Sequence, residues 1–166
     1  MPSSRPCLAN LNATRILNTV SRLTAASKDG RRHKTVLLDN EYVTLSLDES
    51  VPCVEWIGKK YMPAEEFRAS EEKSLEFFLA YKGRYPRLEY FVDARNIGPI
   101  SPQDTKWIVD ELFPRFLAAH LKKEAFVVPA SAVGRMVVKN YKSKVNEMIE
   151  IKEFDSAEAA KDWLRG

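Results

Sequence analysis

Six side chains near the ends of apolar runs have the chemistry to bind something: Lys59, Lys60, Asp93, Arg95, Asn96 and Ser101. Lys59 and Lys60 follow Gly58, Asp93 to Asn96 follow the run Leu88–Val92, and Ser101 opens a helical pattern. In an α/β sheet, ligands and partners meet the carboxyl ends of parallel strands. Two lysines and an arginine beside a helix N-terminus would suit an anion. A structural reading competes with this one. Asp93 and Asn96 would bond backbone N–H groups in their own loop, and Ser101 would cap its helix.

Catalytic chemistry is sparse by comparison. The chain has two histidines: His33 in a basic stretch, and His120 at a helix end, where the dipole favours a cation. No His-x-x-x-His, Cys-x-x-Cys or carboxylate–His spacing supplies a metal site. Nucleophile elbows, phosphate-binding loops and dinucleotide fingerprints do not occur either, and six glycines would build them with difficulty. Cys53 lies inside a strand pattern, as a small buried hydrophobe would. The expectation is a non-catalytic chain with no metal and no cofactor.

The elements that must position the six candidates follow from periodicity. Val36–Leu38 is a short apolar run, and Val43, Leu45 and Leu47 alternate with Thr44 and Ser46, the period of a half-buried strand. Asp39-Asn40-Glu41 and Asp48-Glu49-Ser50 read as turns. Cys53–Ile57 is a third strand, with Val54 and Trp56 on one face and Cys53 and Ile57 on the other. Pro63 starts a helix whose stripe is Ala64, Phe67, Leu75, Phe78 and Leu79, with Glu71, Glu72 and Lys73 expected in water. Leu88–Val92 is apolar on both faces, as an inner strand is.

Ser101-Pro102-Gln103-Asp104 is a helix start, Trp107, Ile108 and Leu112 carry its stripe, and Pro114 should break or kink it. Phe116, Leu117 and Leu121 resume the pattern. Ala125–Val128 is a second inner strand, ending at Pro129-Ala130-Ser131, and Ser131 begins a helix with Val133, Met136, Val137 and Tyr141. Met148–Phe154 is the last strand, and Asp155-Ser156-Ala157-Glu158 opens a final helix bearing Trp163 and Leu164. The order βββαβαβαβα implies an α/β fold: a mixed sheet with an antiparallel meander first, then parallel crossovers flanked by helices.

Composition is that of a globular chain, 45% hydrophobic and 30% charged over 166 residues, enough for one domain. No apolar run approaches membrane-span length, and Cys7 and Cys53 make no disulfide framework. A soluble, cytoplasmic setting is expected, and nothing at the start reads as a secretory signal. The formal charge of +3 is uneven. Residues 1–34 hold seven basic residues against Asp29 alone, so the body at 35–166 is net acidic and no nucleic-acid partner is expected for it. Three readings compete for this basic tail: a flexible or extended start, a transit-like segment, and a short helix bearing Ile16, Val20 and Leu23 that docks on a partner or anionic lipid.

Phe91-Val92-Asp93-Ala94-Arg95-Asn96-Ile97, followed by Ser101-Pro102-Gln103-Asp104, Trp107-Ile108 and Phe113-Pro114, resembles bacterial STAS-like proteins. The close, Phe154-Asp155 leading into Ala160-Lys161-Asp162-Trp163-Leu164, is similar to the same group, and the likeness spans residues 35–166. Their nearest relatives are anti-sigma-factor antagonists, with a further link to CRAL-TRIO lipid-binding domains. The resemblance implies a regulatory protein-interaction module with an unknown protein partner. It makes Ser101 the candidate phospho-acceptor, although Ile100-Ser101-Pro102-Gln103 stands where the antagonists carry Asp-Ser-Ser-Gly-Leu. The alternative it implies is a binder of a lipid or other apolar small molecule, using aromatics such as Phe77, Phe78, Tyr81, Trp107, Phe113 and Phe116. Pairing into a homodimer is compatible with a small domain of this kind.

Overall fold

The computed structural model describes residues 33–128, 139, 142–143 and 149–166. The tail helix around Ile16–Leu23, the Pro129–Ser131 strand end and the helix from Ser131 lie outside the described residues.

Among the described residues, six strands form one sheet in the order of the sequence: β1 (Lys34–Asp39), β2 (Val43–Asp48), β3 (Cys53–Gly58), β4 (Glu89–Asp93), β5 (Lys123–Val127) and β6 (Glu150–Phe154). The first three pair antiparallel, and β3 to β6 run parallel. The chain is therefore α/β with a mixed sheet, an antiparallel start and helices. The two apolar runs expected at its centre are neighbours, with Phe91 opposite Ala125 and Val92 opposite Phe126.

Local chemistry sets the turns. Asn40 Oδ1 accepts from the N–H groups of Tyr42 and Val43, both at 2.9 Å, which closes the β1–β2 turn. Asp48 Oδ1 accepts from Ser50 N at 3.0 Å in the next one. Both are side-chain mimics of a backbone turn, which short Asx residues make readily.

Strand parity divides the core into two layers. On one face stand Val54, Trp56, Tyr90, Val92 and Phe126. Helix α1 (Ala64–Tyr81) packs there, with Phe67 set edge-on to Trp56 at 6.2 Å. The segment 102–118 covers the same face, where Phe116 stacks on Tyr90 at 5.0 Å and meets Phe78 edge-on at 5.4 Å. On the opposite face Cys53, Phe91, Ala125 and Val127 form a cluster with Ala160 and Leu164 of the C-terminal helix (Ala157–Arg165).

Two expectations change here. In α1, Leu79 is 46% exposed and Ala64 is exposed too, while Glu71 is only 7% exposed and lies on the core side. The buried face is Phe67, Ser70, Glu71, Ser74, Leu75, Phe78 and Tyr81, a 3.6-residue stripe that takes in three polar residues. The anchoring rings at Phe67 and Phe78 orient the helix, and Glu71 falls between them whatever its type.

Pro114 does not break its helix. α2 (Pro102–Trp107) continues through a π-turn (Ile108–Leu112) into α3 (Phe113–Ala118), and Phe113 N–H donates to Ile108 O, five residues back. Proline has no N–H to donate to the carbonyl four residues back, and the widened turn just before it lets the helix continue past its ring. The C-terminal helix is then α4.

His120 ends this rod in a left-handed conformation, φ 67°, with its N–H donating to Leu117 O at 2.8 Å. That position favours glycine, because a Cβ crowds the backbone there. His120→Gly is expected to raise stability by about 0.5–1 kcal/mol. Urea denaturation checks it through a higher midpoint at unchanged slope.

Candidate functional site

The six residues singled out in the sequence do gather at the carboxyl ends of β3 and β4, and each charged one already has a partner within the chain. Lys59 Nζ pairs with Asp39 Oδ1 at 2.7 Å and also donates to the Asn40 carbonyl. Lys60 Nζ pairs with Glu41 Oε2 at 2.6 Å and lies 4.7 Å from the centre of the Tyr42 ring. Arg95 grips Asp93 through two hydrogen bonds, Nε to Oδ1 at 2.9 Å and Nη2 to Oδ2 at 2.6 Å. That carboxylate raises the Arg95 pKa, as the hydrogen bond to Glu41 raises that of Lys60. Asn96 is exposed.

Ser101 Oγ accepts from Asp104 N at 3.0 Å and donates to Asp104 Oδ2 at 2.6 Å. Burial works to raise the Asp104 pKa, but the Ser101 hydrogen bond and the Arg68 guanidinium lower it on balance. The hydroxyl is thus engaged in capping α2 and holding the acid at its third position. Two parts of the structural alternative are met, with Ser101 capping α2 and Asp93 Oδ1 accepting from Arg95 N at 3.2 Å, and the cations are paired with Asp39, Glu41 and Asp93.

Next to this rim lies a groove of about 460 Å³. Tyr61, Met62 and Phe67 form one side, and Ile97, Ile100 and Pro102 the other. Tyr61 is 64% exposed, a large ring held at the surface. Ile97 fixes the loop that forms the second wall. Its Cγ2 sits where a Cβ on Gly58 would be, 2.0 Å from that position, so only glycine at 58 lets the loop seat on β3. Gly98, at φ 71°, then turns the chain towards α2.

Beneath the same loop is a second, deeper space of about 60 Å³ between the sheet, α1 and the segment 102–118. Trp56, Val92, Ile97, Leu112 and Phe116 give it apolar walls, and Glu71 reaches its lining, as do Tyr90 and Glu124. Burial raises the Glu71 pKa to about 8, against a smaller lowering by the Tyr90 hydrogen bond. The neighbours show how the proton is held. Tyr90 Oη donates to Ser74 Oγ at 2.8 Å, and Ser74 Oγ donates to the Glu71 carbonyl at 2.7 Å. Tyr90 Oη also lies 3.2 Å from Glu71 Oε2, where the phenol donates to the carboxylate and a protonated Glu71 could donate in return.

The opposite face of the sheet holds an ion cluster that the sequence reading did not identify. Glu55 is fully buried, and its Oε2 accepts from Ser46 Oγ at 2.5 Å and pairs with Lys34 Nζ at 2.6 Å. Its Oε1 accepts no aligned hydrogen bond and is balanced by the ammonium of Lys161, which also holds Asp48 Oδ2 at 2.7 Å. Lys161 thereby ties α4 to β2 and β3. Register placed Glu55 beside Cys53 and Ile57, so strand parity was the signal available, masked by the residue's charge.

Among the described residues, no group of three or more His, Cys, Asp or Glu side chains is arranged to hold a metal ion, and no helix is long and apolar enough to cross a membrane. Cys53 is fully buried, and burial raises its thiol pKa. Comparison of the chain with protein-family models, with curated proteins and with solved structures gives no match. What the fold and site define is a class by geometry: an α/β chain whose described residues form a mixed six-stranded sheet with a groove of mixed apolar and polar lining at the carboxyl ends of two parallel strands.

Proposed function

We propose that this chain is a non-catalytic, STAS-like regulatory module of the cytoplasm that binds a protein partner through the groove between Tyr61–Phe67 and Ile97–Asp104. The exposed Tyr61 ring beside this groove carries this reading. Aromatic side chains at the edge of a desolvated pocket are where protein interfaces concentrate their binding energy. The location supports it further, because partners of open α/β sheets meet the strands' carboxyl ends. Lys59, Lys60, Arg95 and Asn96 form the polar rim of that surface. The internal ion pairs of Lys59, Lys60 and Arg95 keep those cations in place and make them contributors to specificity more than to affinity.

The test is affinity capture with the wild-type chain and three variants. A partner retained by the wild type and by Leu79→Ser, but lost at least about tenfold with Tyr61→Ala, is the expected result. Retention by Tyr61→Ala and by Ile100→Asp alike would overturn it.

A further inference from the structure

We propose that the inner cavity under the Ile97–Ile100 loop is a binding site for a small uncharged molecule, on the order of three or four heavy atoms, apolar over most of its surface and carrying one hydrogen-bonding group. This site is separate from the partner groove, and the failure of one leaves the other standing.

Volume sets the size of the occupant. Native interiors leave few voids larger than a water molecule, and an engineered apolar cavity of roughly 150 Å³ holds benzene. The present space of about 60 Å³ is larger than a packing gap and smaller than a six-membered ring needs. An extended lipid chain does not fit.

The lining sets its chemistry. Val92, Ala94, Ile97 and Leu112 offer nothing but apolar contact. The polar groups are concentrated in Glu71, Tyr90, Thr105 and Glu124. Moving a full charge into such a space costs far more than moving a hydroxyl or an amide, which excludes carboxylates and phosphates. A hydroxyl can bond the Glu71 carboxyl group without changing its protonation.

The walls supply a way in. Phe67, Ile97 and Ile100 line both the inner cavity and the outer groove, so a side-chain layer is all that separates them. The helical wall on the other side is the π-turn at Ile108–Leu112, a departure from helical geometry of a kind often found at functional sites.

The experiment is a methyl NMR titration of the full chain, labelled at Ile, Leu and Val, with 1-propanol and with propionate at pH 7. Saturable shifts at Val92, Ile97, Ile108 and Leu112 are expected with 1-propanol, and at least about tenfold weaker binding with propionate. Ala94→Leu should fill the cavity and weaken 1-propanol at least about tenfold. Ile108→Phe, on the helical wall, provides a second filling variant should Ala94→Leu disturb the fold. Linear, unsaturated shifts with 1-propanol would overturn the site. So would equal binding of propionate, or wild-type binding by the folded filling variants.

Discussion

Lys161→Met is expected to lower the stability of the folded chain by about 3 kcal/mol, since it removes one partner of a buried charge and leaves the other uncompensated. Lys161 sits among Glu55, Asp48 and the Phe91 ring, whose centre is 5.5 Å from its ammonium. Methionine keeps the apolar stem and its packing, so the loss reports the charge. Lys34 still pairs with Glu55 on its more exposed side, which keeps the cost at the lower end of the range for broken buried pairs. A second substitution identifies the cause. Adding Glu55→Gln to Lys161→Met removes the stranded carboxylate, and the double variant should recover most of the loss. Chemical denaturation of the four proteins of the cycle measures this.

The cluster also sets limits of pH. Burial works to lower the Lys161 pKa, but its contacts with the Asp48 and Glu55 carboxylates raise it overall, so its contribution is full at neutral pH and is lost as pH rises through the raised value. Burial works to raise the Asp48 pKa, and Lys161 and Ser50 lower it on balance. That contribution is present above the unfolded value and is lost as pH falls through the lowered one.

Glu71→Gln is expected to act in the opposite direction, stabilising the chain by on the order of 3 kcal/mol at pH 7. In the unfolded chain Glu71 loses its proton near its ordinary value of 4.5, whereas in the folded chain burial holds it to about 8. Stability from this group is therefore full below 4.5, falls as pH rises towards 8, and stays low above it. Glutamine is neutral at every pH and can donate to Tyr90 as the protonated acid does. The variant should match wild type at pH 4 and pull ahead from there to pH 8. Thermal unfolding at pH 4 and pH 7 checks this, and an equal offset at both would mean that the proton is not the cause.

Both residues show where sequence reading succeeds and where it stops. Strand parity put Val54 and Trp56 on one face and Cys53 and Ile57 on the other, and the register agrees. Ser101 was recognised as a cap because capping is local chemistry, and it accepts the Asp104 N–H; the last helix start was placed too, and there Ser156 is the cap, accepting the Ala159 N–H. Glu71 was expected in water because of its charge, although its spacing from Phe67 and Leu75 already placed it on the buried face. Lys161 and Asp48 are 113 residues apart, and no local pattern announces a pair at that separation.

The candidate site was legible in outline for the same reason. Loop positions after strands follow from the element order, and Lys59, Lys60, Arg95 and Asn96 do stand just past the ends of β3 and β4. Its ion pairs join Lys59 and Lys60 to a turn about twenty residues earlier, and they depend on β1–β2 standing beside β3. The π-turn illustrates a further limit: Pro114 signals an interruption, but which bonds replace the missing one is decided by the packing of Phe113 and Phe116.

The binding surface can be interrogated most directly by replacing Tyr61, and separately Leu79, with a photoreactive amino acid in cells and irradiating. Both positions are exposed, so either probe reports what touches it. A discrete protein adduct from position 61 that is absent from position 79 is the result predicted for a partner seated in the groove. No adduct at 61, or the same adducts from both positions, would contradict it.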